Sequence, residues 1–179
     1  MELLGQYYTS KYNVDFRSLR LPGVLSAFEC NGGTTDYAID MILAALKGED
    51  YECFLEPDVE LPFIYIDDLI WNQIKFLEVD ASSLKRGIYN LSAFSVSARK
   101  LESFIQGYFP DFKVEYKPDF RNDIATIWPA NFLAEKSITQ WGMEKNYNFE
   151  RSFEQMMIDC KEFLELKGCL LYTSPSPRD

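Results

Sequence analysis

The chain has 179 residues, 47% apolar when Tyr, Trp and Cys are counted and 26% charged, enough for a sizeable core in one domain, or in a domain and a fragment of another. With 18 basic against 28 acidic side chains its net charge is −10, which disfavours nucleic acid or an anionic membrane as a partner. It contains 0 histidines, which removes Ser-His-Asp and Cys-His catalysis and histidine-ligated metal from these residues.

Leu3, Leu4, Tyr7 and Tyr8 recur at helical spacing over residues 2–12. The apolar stripe is already running at residue 3 with no capping residue before it, the pattern of a helix truncated at its start. Residues 14–21 read as a buried strand that stops at Pro22-Gly23. Proline removes a ladder donor, and glycine lets backbone approach a ligand closely. Ligands of open α/β sheets sit beyond the carboxyl ends of strands, so this turn is the first place to look for a site. Asn31-Gly32-Gly33-Thr34-Thr35-Asp36 leads into a helix with Thr34 or Thr35 as its cap, Asp36 in its first turn and Lys47-Gly48 at its end. Its inner face carries Ile39, Ile42, Leu43 and Leu46. Such a start offers amides and hydroxyls to an anionic or polar ligand, and an ordinary turn plus cap explains the same residues.

Strands are expected over 51–55, 61–65, 88–91 and 113–116. Asp67 is placed to cap a helix carrying Ile70, Ile74 and Leu77 at helical spacing, and Ser95 or Ser97 one with Leu101, Phe104, Ile105 and Tyr108. Residues 119–129 read as a loop, followed by helices near 132–138 and 149–166. The second of these turns Phe153, Met156, Met157, Cys160, Phe163 and Leu164 inward, methionine serving as core filler. Strands alternating with helices predict an α/β fold. Cys30, Cys53, Cys160 and Cys169 form no C-x-x-C pair and are expected as reduced intracellular thiols. No apolar run is long enough for a membrane span, and no signal peptide is visible. Residues 168–179 lose all periodicity, carry two Ser-Pro pairs and are expected to be disordered. From Cys169 onward they resemble translated sequencing-adapter read-through more than a functional tail.

Glu2-Leu3-Leu4-Gly5-Gln6-Tyr7-Tyr8, Phe16-Arg17-Ser18-Leu19-Arg20 with Pro22-Gly23-Val24, Tyr65-Ile66-Asp67-Asp68 and Tyr89-Asn90-Leu91 carry a resemblance. Over residues 2–157 they are similar to the C-terminal half of the extended short-chain dehydrogenase/reductase, or NAD-dependent epimerase/dehydratase, family. Gly32-Gly33-Thr34-Thr35-Asp36-Tyr37-Ala38, the run from Tyr51 to Asp58, Arg121-Asn122-Asp123-Ile124-Ala125 and Trp128-Pro129 look like its threonine-oxidising branch.

The resemblance implies a parent that oxidises L-threonine to 2-amino-3-ketobutyrate with NAD. It makes residues 1–30 a remnant of a Rossmann dinucleotide domain and 31–167 the substrate-binding part, interleaved with the last Rossmann elements, with 168–179 a tail. The family's glycine fingerprint and its catalytic tyrosine and lysine would lie upstream of Met1, leaving no catalytic residue here. Tyr7 and Lys11 share the Tyr-x-x-x-Lys spacing but stand at the wrong place relative to Pro22-Gly23, and Tyr7 is expected on the helix's packing face. Pro22, Gly23 and Val24 match cofactor-binding positions, and Gly32, Thr34 and Trp128 match positions that bind the amino acid. No metal is implied, and Asp67-Asp68 reads as a structural cap. The resemblance further implies a homodimer formed through the first helix, and a mitochondrial matrix or cytoplasmic location according to source. Two other readings stand beside it. One is a nucleotide-sugar epimerase or dehydratase, which would need basic residues near Trp128 and has Arg121 to offer; the other is a non-catalytic binding module.

Overall fold

The computed structural model describes residues 1–27, 30, 32–85 and 87–173, with 167–173 by backbone alone. Among them β1 (Ser18–Arg20) runs parallel to β5 (Ile88–Asn90), and β3 (Tyr51–Cys53) parallel to β7 (Val114–Tyr116). A sheet of three strands has β4 (Glu60–Tyr65) at its centre, parallel to β2 (Gly23–Leu25) and antiparallel to β6 (Phe94–Ser97). The helices are α1 (Glu2–Tyr12), α2 (Tyr37–Lys47), α3 (Ile66–Glu78), α4 (Ala98–Gln106), α5 (Phe120–Thr126), α6 (Glu135–Trp141) and α7 (Phe149–Thr173). The expected mixed α/β class is what the chain adopts.

Strand β4 explains the layering. Leu61 to Tyr65 are all buried, the continuous apolar run of a strand covered on both faces. Side chains alternate, so Leu61, Phe63 and Tyr65 join a core built with α2, α4 and α7, while Ile64 joins a second core with Leu69, Phe76, Tyr89, Leu91 and Trp141. Tyr37 is fully buried in the first core, and its hydroxyl donates to the Val96 carbonyl at 3.1 Å. Gly48, at φ 72°, ends α2 where the sequence places its end, donating back to Ala44 and Ala45.

Several expectations are corrected. The strand read over 14–21 is only β1, and the chain does not leave the sheets at Pro22-Gly23: Leu21-Pro22 carries it from β1 in one sheet to β2 in another. A residue without an N–H suits that crossing between ladders. Helix α1 buries only Gly5, and Tyr7 is 48% exposed rather than on a packing face. In α3, Ile70, Ile74 and Leu77 face outward while Asp68, Leu69, Asn72 and Phe76 are buried. Polar residues hold that inner face: the Asp68 carboxylate accepts from the Asn146 and Tyr147 amides at 2.9 Å each and from Asn146 Nδ2 at 3.1 Å. Asn72 is bonded to Glu144 through both its amide oxygen and its amide nitrogen. Tyr65, not Asp67, occupies the α3 N-cap position, so the Asp67-Asp68 pair is structural by another route than capping.

Residues 119–129 are not all loop. The Asp119 side chain accepts from the Arg121 amide at 2.8 Å and caps α5. Helix α6 starts later than the expected 132 and buries Trp141. Helix α7 continues to Thr173, past the end read near 166, because propagation needs no new nucleus. Residues 174–179 of the expected tail lie outside the described residues, as do Asn31 and Arg86.

Candidate functional site

Just beyond the carboxyl end of β1 lies a cavity of about 310 Å³. Leu21, Pro22 and Gly23 line it from the crossing between β1 and β2, Thr35 from the turn before α2, and Pro62 from β4. Trp128, Pro129 and Phe132 line it from the segment between α5 and α6. Among the described residues the walls are mostly apolar, with one side-chain hydroxyl at Thr35.

Gly23 has a steric reason to be glycine. A Cβ there would stand 2.8 Å from the Phe63 ring and 2.8 Å from the Thr35 methyl, closer than real Cβ contacts come. The parallel register that sets Gly23 beside Phe63 produces this contact, and the absent side chain lets Thr35 approach the strand.

Of the six sequence-derived binding residues, the structure brings Pro22, Gly23 and Trp128 together around this cavity. Val24 is not in the lining. Alternation along β2 turns its side chain against the second core, opposite Leu25. Gly32, exposed and at φ 85°, and Thr34, half-buried, also lie outside the lining, and Thr35 takes the place expected of Thr34. On a turn of adjacent threonines no periodicity tells the two apart. Pro62 had a signal, since proline inside a strand marks an edge or an interruption. Leu21 adjoins Pro22, Pro129 belongs to the Trp128-Pro129 match, and Phe132 carries no motif.

One amide of the expected anion site before α2 is already taken. Asp36, not a threonine, is the N-cap residue, and its carboxylate turns back to accept the Gly33 amide at 2.8 Å. Nearby, the Cys30 thiol hydrogen-bonds the Asp36 carbonyl and the Asp40 carboxylate. Burial pushes the Cys30 thiol far up and holds Cys53 and Cys160 at about 11 and about 12, so none supplies a thiolate near neutrality. Among the described residues these three cysteines are free, and no three acidic, Cys or His side chains converge as a metal set.

Arg121 is committed elsewhere. Its guanidinium bonds the Asp119 carboxylate at 2.6 Å and lies 3.4 Å from the centre of the Phe54 ring. Tyr7 and Lys11 do meet, Nζ donating to the phenol oxygen at 2.7 Å, but on the exposed face of α1 and not in this cavity.

No protein-family model matches the chain. Individual proteins do. Bovine mitochondrial L-threonine 3-dehydrogenase is 37% identical over 158 residues, 87% of this chain and 42% of the bovine protein. The chain is homologous to L-threonine 3-dehydrogenases and epimerase/dehydratases. An uncharacterised epimerase/dehydratase of Staphylococcus saprophyticus is likewise 37% identical, over 171 residues that make up 93% of this chain and 53% of that protein. The solved L-threonine dehydrogenase of Phytophthora infestans superposes with a TM-score of 0.86 at 36% identity, over 93% of this chain and 53% of its own. The fold matches the C-terminal part of these dehydrogenases, and the chain spans about half the length of the relatives it resembles. Identity alone does not choose between the two names, because both relatives stand at 37%.

Proposed function

We propose that these residues form the substrate-binding half of an NAD-dependent L-threonine 3-dehydrogenase. One observation favours this over a nucleotide-sugar enzyme: the described cavity lining holds no lysine or arginine, and Arg121 is spent on Asp119 and Phe54. A sugar nucleotide brings a diphosphate that needs such partners. About 310 Å³ also lies at the small end of ligand cavities, which run roughly 300–1,000 Å³.

In this reading the amino acid sits between Pro22-Gly23 and Trp128, with the Thr35 hydroxyl as the polar group that orients it. Trp128 excludes water from the reacting carbon. Gly32 and Thr34 support the turn that carries Thr35. Bound NAD would supply hydride-acceptor chemistry at the substrate's C3. Leu21, Pro22 and Gly23, apolar and free of a side chain at Gly23, would hold the nicotinamide beside the amino acid, with Val24 bracing the same strand from the second core. The tyrosine that takes the hydroxyl proton, and the lysine that lowers its pKa, belong to the half of the protein outside these residues. The 179 residues alone are therefore inactive, and no step is assigned to Tyr7 or Lys11. Dimerisation, and a mitochondrial matrix or cytoplasmic location according to source, remain part of the same proposal.

Saturation-transfer NMR on the 179-residue chain tests the choice of ligand, since it registers millimolar binding. Transfer from protein to the L-threonine methyl, lost in Trp128→Ala, is the expected result. Transfer to UDP-glucose but not to threonine would move the assignment to a nucleotide-sugar enzyme.

A further inference from the structure

The segment joining α5 to α6 has no regular structure, yet it supplies Trp128, Pro129 and Phe132 to the cavity. Irregular backbone holds side chains in place only if other groups fasten it. Little apolar burial does so here, because Ile127 is 80% and Leu133 65% exposed. Pro129 has no amide to contribute.

Two side chains from the strands provide the fastening. Ser95 Oγ donates to the Ala130 carbonyl at 2.6 Å, and Asn90 Nδ2 donates to the Leu133 carbonyl at 3.0 Å. The Ser95 bond falls between Pro129 and Phe132, two of the three residues that the segment gives to the cavity. Ser95 is itself anchored in β6, directly opposite Pro62, which lines the cavity from β4. One hydroxyl thus ties the sheet side of the cavity to the segment that faces it.

We infer that Ser95 is a positioning residue, holding the strap of residues 127–133 where Trp128, Pro129 and Phe132 close on a small amino acid. Only the identity of that occupant rests on the function proposed above. Ser95 does not line the cavity and acts through the Ala130 carbonyl. Ala130 is exposed, so a freed carbonyl turns to water and the fold survives while the strap relaxes.

The test compares Ser95→Ala and Ser95→Thr in the 179-residue chain by amide hydrogen exchange, saturation-transfer titration with L-threonine and melting temperature. Ser95→Ala should exchange faster within 127–134 alone, bind threonine about threefold to tenfold more weakly and melt almost unchanged. Ser95→Thr, which keeps the hydroxyl, should restore both exchange and binding. Unchanged strap exchange, unchanged threonine binding with a loosened strap, or equal damage in both variants would overturn the inference. If the unmodified chain shows no threonine signal, the proposed function fails by itself. The exchange comparison then decides for Ser95: faster in the alanine variant and restored in the threonine variant supports it, and no difference overturns it.

Discussion

Asp40 is a carboxylate in a place that works against its charge. Burial pushes its pKa up, the neighbouring Asp36 adds to the push, and the Cys30 thiol partly offsets it by hydrogen bonding. The folded chain therefore holds this proton more tightly than the unfolded chain does. Its contribution favours folding at low pH and is lost as pH rises through the raised pKa. Asp40→Asn keeps an acceptor for Cys30 and removes the charge. Its melting temperature relative to the natural chain should be level in acid and increasingly higher as pH climbs to neutrality. A difference independent of pH would show that the charge costs nothing there. At this scale the sequence spoke clearly where a residue type has one strong reason to be present. Pro22-Gly23 drew attention for the break it makes in a strand, and Trp128 through the family resemblance, and they line one cavity. It was silent on Thr35 against Thr34 and on Ser95, since neither a turn's side-chain directions nor a bond reaching 35 residues along the chain leaves a local pattern.

Helix α3 shows what periodicity misses at the level of an element. Ile70, Ile74 and Leu77 form an apolar stripe in the sequence, yet they are 49%, 48% and 70% exposed. The buried face is instead organised by Asp68 and Asn72, whose bonds reach Glu144, Asn146 and Tyr147 more than 70 residues away. Asp68→Ala would remove a buried carboxylate that accepts three bonds from the exposed Asn146 and the half-buried Tyr147, so it should cost about 1–3 kcal/mol in urea unfolding, read as a lower midpoint with an unchanged slope. A loss below about 0.5 kcal/mol, the scale of ordinary surface changes, would mean that water replaces the carboxylate freely. Helix α5 failed in the other direction. Its Asp119 cap stood in the sequence, but the segment holds only seven helical residues, too short for an apolar repeat to declare itself.

For the molecule as a whole, alternation of strands and helices was enough to give the α/β class. The division into separate sheets was not legible, because pairings such as β3 with β7 join residues about 63 apart in sequence and depend on long-range closure. The same limit applies to function. Composition excluded histidine-based chemistries from these residues, motifs supplied a family resemblance, and the lining of the assembled cavity is what supports the proposal of a small amino acid over a diphosphate. The most direct measurement is made on a chimera. Residues 1–166 of this chain replace the matching part of the Phytophthora infestans L-threonine dehydrogenase, which superposes at a TM-score of 0.86 and brings the remaining half of an enzyme. Threonine-dependent NADH formation by this chimera, abolished by Trp128→Ala and not elicited by UDP-glucose, is the expected result. A folded chimera that binds NAD and leaves L-threonine unoxidised would contradict the assignment of these residues as a threonine-binding half.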